Sequence, residues 1–144
     1  LIAKGLKFLD EIVVAISSGS NKRYFFSTEE RILIVKNALY KDLGFSKKKI
    51  KVTSFDNLTT SLCEKYNSHL VLRGLRAVSD FEYEFQLAGM NRKLNRNIET
   101  IFLMSDIENQ VISSKFVKEI ALMGGSITKF TTKSTVKTLK NKLK

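Results

Sequence analysis

Short apolar runs and amphipathic stretches take turns along this chain. Residues 1–9 keep helical spacing through Ile2, Leu6 and Leu9 with no cap before them, so they read as a helix already in progress. The β-branched run over 11–17 predicts a buried strand, and 18–26 a polar loop carrying Lys22 and Arg23. Ser27-Thr-Glu-Glu30 is a capping box. It opens a helix over about 28–43, with Ile32, Val35 and Leu39 inward and Gly44 as its stop. A strand over 49–55 follows, then a helix to about Tyr66 capped by Asn57 or Thr59. A strand over 69–72, a helix over 80–95 and a strand over 98–104 come next. Residues 105–112 read as a loop and 113–123 as a helix closed by Gly124 and Gly125. Residues 131–135 are loop-like, and Val136, Leu139 and Leu143 carry a last helix. This alternation predicts an α/β fold, a parallel sheet with helices on both faces. Ligands of such sheets bind outside the carboxyl ends of the strands.

The stretch 71–94 is the most informative. Its strand is expected to deliver Arg73, Gly74 and Arg76 into a turn. Asp80 then reads as the N-cap of a helix with Glu82 and Glu84 in the first turn and Arg92, Lys93 and Arg96 at the end. That order of charges complements the helix dipole. Glu84 and Asn91 flank Leu87 at i, i+3, i+7 spacing, which puts two polar groups beside an apolar stripe. They mark either its solvent edge or the wall of a pocket. Arginines at the end of a strand, facing such a helix, fit a ligand carrying phosphate. Lys22, Arg73, Gly74, Arg76 and Ser113 are all placed just after strands. The only histidine, His69, falls at the amino end of its strand, away from that edge, and reads as structural.

Composition narrows the picture without redirecting it. A 144-residue chain that is 43% hydrophobic and 27% charged is expected to be one domain, 1–144, with its own core. No apolar run is long enough to span a membrane. The single cysteine, Cys63, reads as a buried thiol and fits a reducing cytoplasm. The net charge of +11 comes from dispersed bases, densest at Lys47-Lys48-Lys49 and in the tail over 133–144. These read as solvated surface, so no nucleic-acid partner is expected.

The run Arg73-Gly-Leu-Arg76, Asp80-Phe-Glu-Tyr-Glu84, Gln86-Leu-Ala88 and Met90-Asn-Arg92 resembles the phosphopantetheine adenylyltransferases, bacterial enzymes of coenzyme A synthesis. The likeness also runs from Ile12 through Arg31 and through Ile112-Ser-Ser-Lys-Phe-Val-Lys118, and covers essentially the whole chain. It implies a Rossmann-like nucleotidyltransferase fold and transfer of an adenylyl group from ATP to 4′-phosphopantetheine, giving dephospho-coenzyme A and pyrophosphate. It implies that Lys22, Thr59, Arg73, Leu87, Asn91 and Glu119 bind phosphopantetheine. ATP would meet Gly74, Leu75, Arg76, Glu84 and the run Asn109, Gln110, Val111, Ile112, Ser113, Ser114 and Lys115. Lys22 and Arg76 would serve catalysis. Mg²⁺ would arrive with ATP, with no metal centre of the protein's own, and the assembly would be a homohexamer in the cytoplasm. Lys115 stands where the family usually has a third hydroxyl, Asn109 where an aromatic is common, and Ser105 where proline is common. The resemblance begins just after the family's first strand, with its Thr-Phe-Asp-Pro loop and Gly-His. The main catalytic threonine and histidine are therefore expected before Leu1. The alternatives are another nucleotidyltransferase of the same superfamily and a basic nucleic-acid-binding domain without catalysis.

Overall fold

Two pairs of parallel strands carry the fold in the computed structural model, which describes residues 1–19 and 24–143. The chain forms two compact units, each built from two separate stretches of sequence: Leu1–Leu9 with Asp56–Val111, and Asp10–Phe55 with Ile112–Lys144.

In the first unit, β3 (Leu70–Leu75) pairs in parallel with β4 (Glu99–Met104), Leu70 opposite Glu99 and Leu75 opposite Met104. Helix α4 (Val78–Leu94) packs on both strands and on α3 (Thr59–Lys65). The predicted strand therefore runs three residues further. Arg73 and Gly74 lie within it, because backbone pairing with Phe102 and Leu103 continues whatever the side chains are. Helix α4 also starts earlier than predicted, with Ala77 as N-cap. Asp80 sits in the first turn, where its carboxylate accepts from the Arg76 backbone N–H and Nε, both at 3.2 Å. Leu58, not Asn57 or Thr59, is the N-cap of α3. The short α1 (Ile2–Gly5) is tied down by Lys4, whose Nζ meets Asp106 at 2.7 Å and the Met104 carbonyl at 2.9 Å. The predicted loop after β4 contains a further turn of helix, α5 (Ile107–Gln110). Cys63, Leu75 and Ile98 form the buried apolar core of this unit, with Asn91 among its buried polar groups.

In the second unit, β1 (Ile12–Ser17) pairs in parallel with β2 (Ile50–Phe55), Ile12 opposite Ile50. The predicted capping box opens α2 (Thr28–Lys36): Ser27 Oγ accepts from the Glu30 N–H, and Glu30 accepts from the Ser27 N–H at 2.7 Å. The helix continues as a π-helical segment (Asn37–Asp42) that turns Leu39 into the core, and Gly44 follows at φ 68°. Only glycine takes that backbone region without a steric cost. Ser113 caps α6 (Ser114–Leu122), accepting from the Phe116 N–H at 3.2 Å. The last helix, α7 (Lys133–Lys142), starts three residues before the first predicted apolar position, with Thr132 as N-cap. Ile50 and Ile127 are fully buried, and Ile16, Leu39 and Leu139 complete the core.

Two carboxylates anchor α7. Asp42 accepts the Ser134 backbone N–H at 3.0 Å and its hydroxyl, and Glu30 meets Lys142 Nζ at 2.7 Å. The Ser134 hydroxyl holds the Asp42 carboxyl below its ordinary value of 3.8, and Lys142 with the Ser27 N–H holds Glu30 below 4.5. A group whose pKa is depressed on folding stabilises the folded form above its unfolded pKa. That contribution is lost as pH falls through the depressed value. The melting temperature is therefore expected to be level above about pH 5 and to fall below it, with Asp42→Asn showing a shallower fall. Thermal melts across acid pH check this, and a flat profile would contradict it.

Candidate active site

Val71 and Arg73, within β3, and the face of α4 build a shallow cleft in the first unit. Thr59, Arg73, Glu84, Leu87 and Asn91 line it, with Thr100 of β4 beside them. Periodicity left Glu84 and Asn91 at a stripe edge or in a pocket wall. They are in the wall. Glu84 is 12% exposed and takes the Arg73 guanidinium side-on, Nε to Oε2 at 2.7 Å and Nη2 to Oε1 at 2.5 Å. This hydrogen bonding outweighs desolvation and raises the arginine's pKa, so it stays protonated throughout the working range. The enclosed space is only about 10 Å³, room for about one water. The ion pair occupies the cleft, and an anion would bind from the solvent side of Arg73, whose side chain is 42% accessible.

The second unit holds a wider cleft of about 400 Å³. Tyr24, Phe25 and Phe26 form one side, and Ile112, Ser114 and Lys118 contribute another. Arg31 stacks its guanidinium 3.9 Å over the Tyr24 ring and donates to the Ser17 carbonyl at 2.8 Å, at the carboxyl end of β1. Phe25 and Phe26 meet edge to face at 4.9 Å.

The cytidylyltransferase-like family profile matches residues 1–120. A phosphopantetheine adenylyltransferase of Pelagibacter ubique (strain HTCC1062) is 66% identical over 142 residues, 99% of this chain and 87% of that protein. The enzyme of the same name from Cupriavidus taiwanensis is 43% identical over 145 residues, 99% and 86% of the two chains. That from Rhizorhabdus wittichii is 41% identical over 136 residues, 94% and 79%. The chain belongs to the phosphopantetheine adenylyltransferase family. Its fold is the Rossmann-like nucleotidyltransferase α/β fold that the resemblance implies.

Four of the six residues that the family resemblance assigns to phosphopantetheine line the first cleft: Thr59, Arg73, Leu87 and Asn91. Glu84, assigned there to ATP, lines it too. Lys22 lies outside the described residues, and Glu119 is half-buried on α6 in the second unit. The remaining ATP assignments are divided between the units. Gly74, Leu75, Arg76, Asn109, Gln110 and Val111 belong to the first, and Ile112, Ser113, Ser114 and Lys115 to the second. Leu75 is buried, whereas Val111 is 82% exposed at the end of α5. A side chain at Gly74 would meet Leu1 Cδ2 at 3.3 Å, so the close neighbour that glycine admits here is Leu1. His69 lies at the amino end of β3, where its carbonyl accepts the Glu99 N–H at 2.9 Å. Thr100 and Tyr24 carried no signal in the sequence. Thr100 reaches the cleft only through its register opposite Val71.

Proposed function

We propose that this protein transfers an adenylyl group from ATP to 4′-phosphopantetheine, yielding dephospho-coenzyme A and pyrophosphate. One observation carries the reading: in a member of this family, Arg73 is held at the mouth of a cleft whose other walls are Thr59, Leu87 and Asn91. A cation fixed beside an apolar wall and an amide suits a phosphate joined to an uncharged, hydrogen-bonding arm. No protein nucleophile is needed. An oxygen of the acceptor phosphate attacks the α-phosphorus of ATP, that P–O bond forms, and the bond to pyrophosphate breaks. The protein's task is to hold two mutually repelling anions and to neutralise charge as it develops.

In this reading Arg73 binds the acceptor phosphate. Lys22 and Arg76 serve the charge that builds at the reacting phosphoryl group. The amides and hydroxyls of Ser113 and Ser114, at the start of α6, suit ATP phosphate, since a helix N-terminus favours anions. The family resemblance gives Glu119 to the acceptor as well. Mg²⁺ belongs to this account as the ion carried on the triphosphate, where it neutralises phosphate oxygens. Among the described residues no three His, Cys, Asp or Glu side chains converge on a common ion. The exposed apolar side chains of α4, with Tyr83 63%, Phe85 62% and Met90 59% accessible, support self-association into the family's homohexamer. No helix of the described residues is long and apolar enough to cross a membrane.

Acceptor profiling tests the assignment. Full-length protein with ATP and Mg²⁺ is expected to adenylylate 4′-phosphopantetheine and to leave pantetheine untouched. Preference for another phosphate acceptor would point to a different nucleotidyltransferase. Steeply salt-dependent binding of DNA or RNA without turnover would point to a nucleic-acid-binding domain.

A further inference from the structure

Arg73 and Glu84 meet in a particular way. Arginine has five N–H donors, and the pair spends two of them, on Nε and Nη2, on the two carboxylate oxygens. The Nη1 amine and the second Nη2 hydrogen form the end-on fork of the guanidinium, and the Glu84 contact does not use them. Exposure is graded the same way: the Glu84 side chain is 12% accessible and the Arg73 side chain 42%. Glu84 sits on α4, eleven residues after Arg73 on β3, so the pair also joins helix to strand.

From this geometry we propose that Glu84 is the positioning residue for Arg73. It grips the guanidinium side-on so that the end-on fork is presented, already oriented, to the phosphate of the acceptor. The inference rests on the adenylyltransferase reading and goes beyond it, since the family resemblance gives Glu84 to ATP. A side-on carboxylate and an end-on phosphate use different donors of one planar group, so the two anions need not compete for the same hydrogens. Holding the fork in place beforehand also removes the rotamer freedom that phosphate binding would otherwise have to freeze. Glutamine at 84 would keep one acceptor and turn an NH₂ against the guanidinium, undoing the grip while keeping the side chain's size.

Calorimetry on full-length protein tests this, with 4′-phosphopantetheine, pantetheine and ATP titrated separately into wild type, Glu84→Gln, Arg73→Ala and the double variant. Wild type is expected to bind phosphopantetheine about a hundredfold more tightly than pantetheine. Glu84→Gln is expected to cut that ratio about tenfold through weaker phosphopantetheine binding, with pantetheine and ATP affinities unchanged. Adding Glu84→Gln to Arg73→Ala should cost nothing further, because Glu84 acts only through the arginine. Glu84→Asp, which keeps the charge on a shorter arm, supplies a second reading of the ratio should the glutamine variant fail to fold. A wild-type ratio in the substituted proteins overturns the positioning role and leaves the adenylyltransferase reading intact. Weakened ATP binding instead would make Glu84 a nucleotide ligand and also overturn it. If wild type itself does not distinguish phosphopantetheine from pantetheine, the functional reading falls and takes this inference with it.

Discussion

Replacing Arg73 by alanine is expected to raise KM for 4′-phosphopantetheine by about thirtyfold or more, and KM for ATP by no more than about twofold. Losing one charged partner of a phosphate costs about 2–5 kcal/mol when the pair is desolvated, and the partial exposure of Arg73 places the effect at the lower end. The substitution also strips Glu84 of its partner. A glutamate side chain only 12% exposed and left without its cation destabilises the fold, so a lower melting temperature should accompany the change in KM. Lysine is not expected to rescue the site, because an ammonium cannot offer side-on and end-on forks together. Initial rates with each substrate varied in turn check the prediction, and equal rises in both KM values would sink the division of roles.

Ile50→Ala is expected to be among the most destabilising single changes in the second unit, at about 2–5 kcal/mol. Ile50 opens β2, lies opposite Ile12 in the register and has no accessible surface. Truncation there removes buried methyl groups and leaves a void that paired strands can close only in part. The Ile50 carbonyl also accepts the Tyr40 hydroxyl at 2.9 Å, which binds β2 to the π-helical segment and limits how far the backbone can relax. Leu33 supplies the control. It is 58% exposed on α2, and Leu33→Ala should stay within about 0.5 kcal/mol of wild type. Chemical denaturation of the three proteins measures both, and similar shifts for the two variants would contradict the burial pattern.

Much of the fold was legible because its signals are local. The Ser27–Glu30 capping box is written in four residues and forms as read. Gly44 and Gly124 mark helix ends because the backbone there is left-handed, at φ 68° and 79°. What the sequence concealed depends on partners distant in the chain. Arg73 and Gly74 belong to β3 because β4 pairs with them, and nothing in the run from Arg73 to Arg76 announces that. The extra turn of helix at Ile107–Gln110 is four residues long, too short for the spacing of apolar residues to separate it from a loop. Asp80 has the residue type of an N-cap, yet its carboxylate is taken by Arg76 while the helix begins at Val78.

The candidate site divides along the same line. The family resemblance names Thr59, Arg73, Leu87 and Asn91 together, and these four line one cleft. That Glu84 would face Arg73, with both oxygens engaged, is a matter of how α4 lies on β3, which residue types alone do not specify. Thr100 joins the wall through strand register for the same reason.

The central claim is the reaction itself, and one measurement meets it directly. Full-length protein would be incubated with ATP labelled at the α-phosphate, Mg²⁺ and 4′-phosphopantetheine, and the products separated and weighed by mass spectrometry. The account predicts label in dephospho-coenzyme A, with pyrophosphate in equal amount. Label that stays in ATP, or passes to an acceptor other than phosphopantetheine, would contradict it.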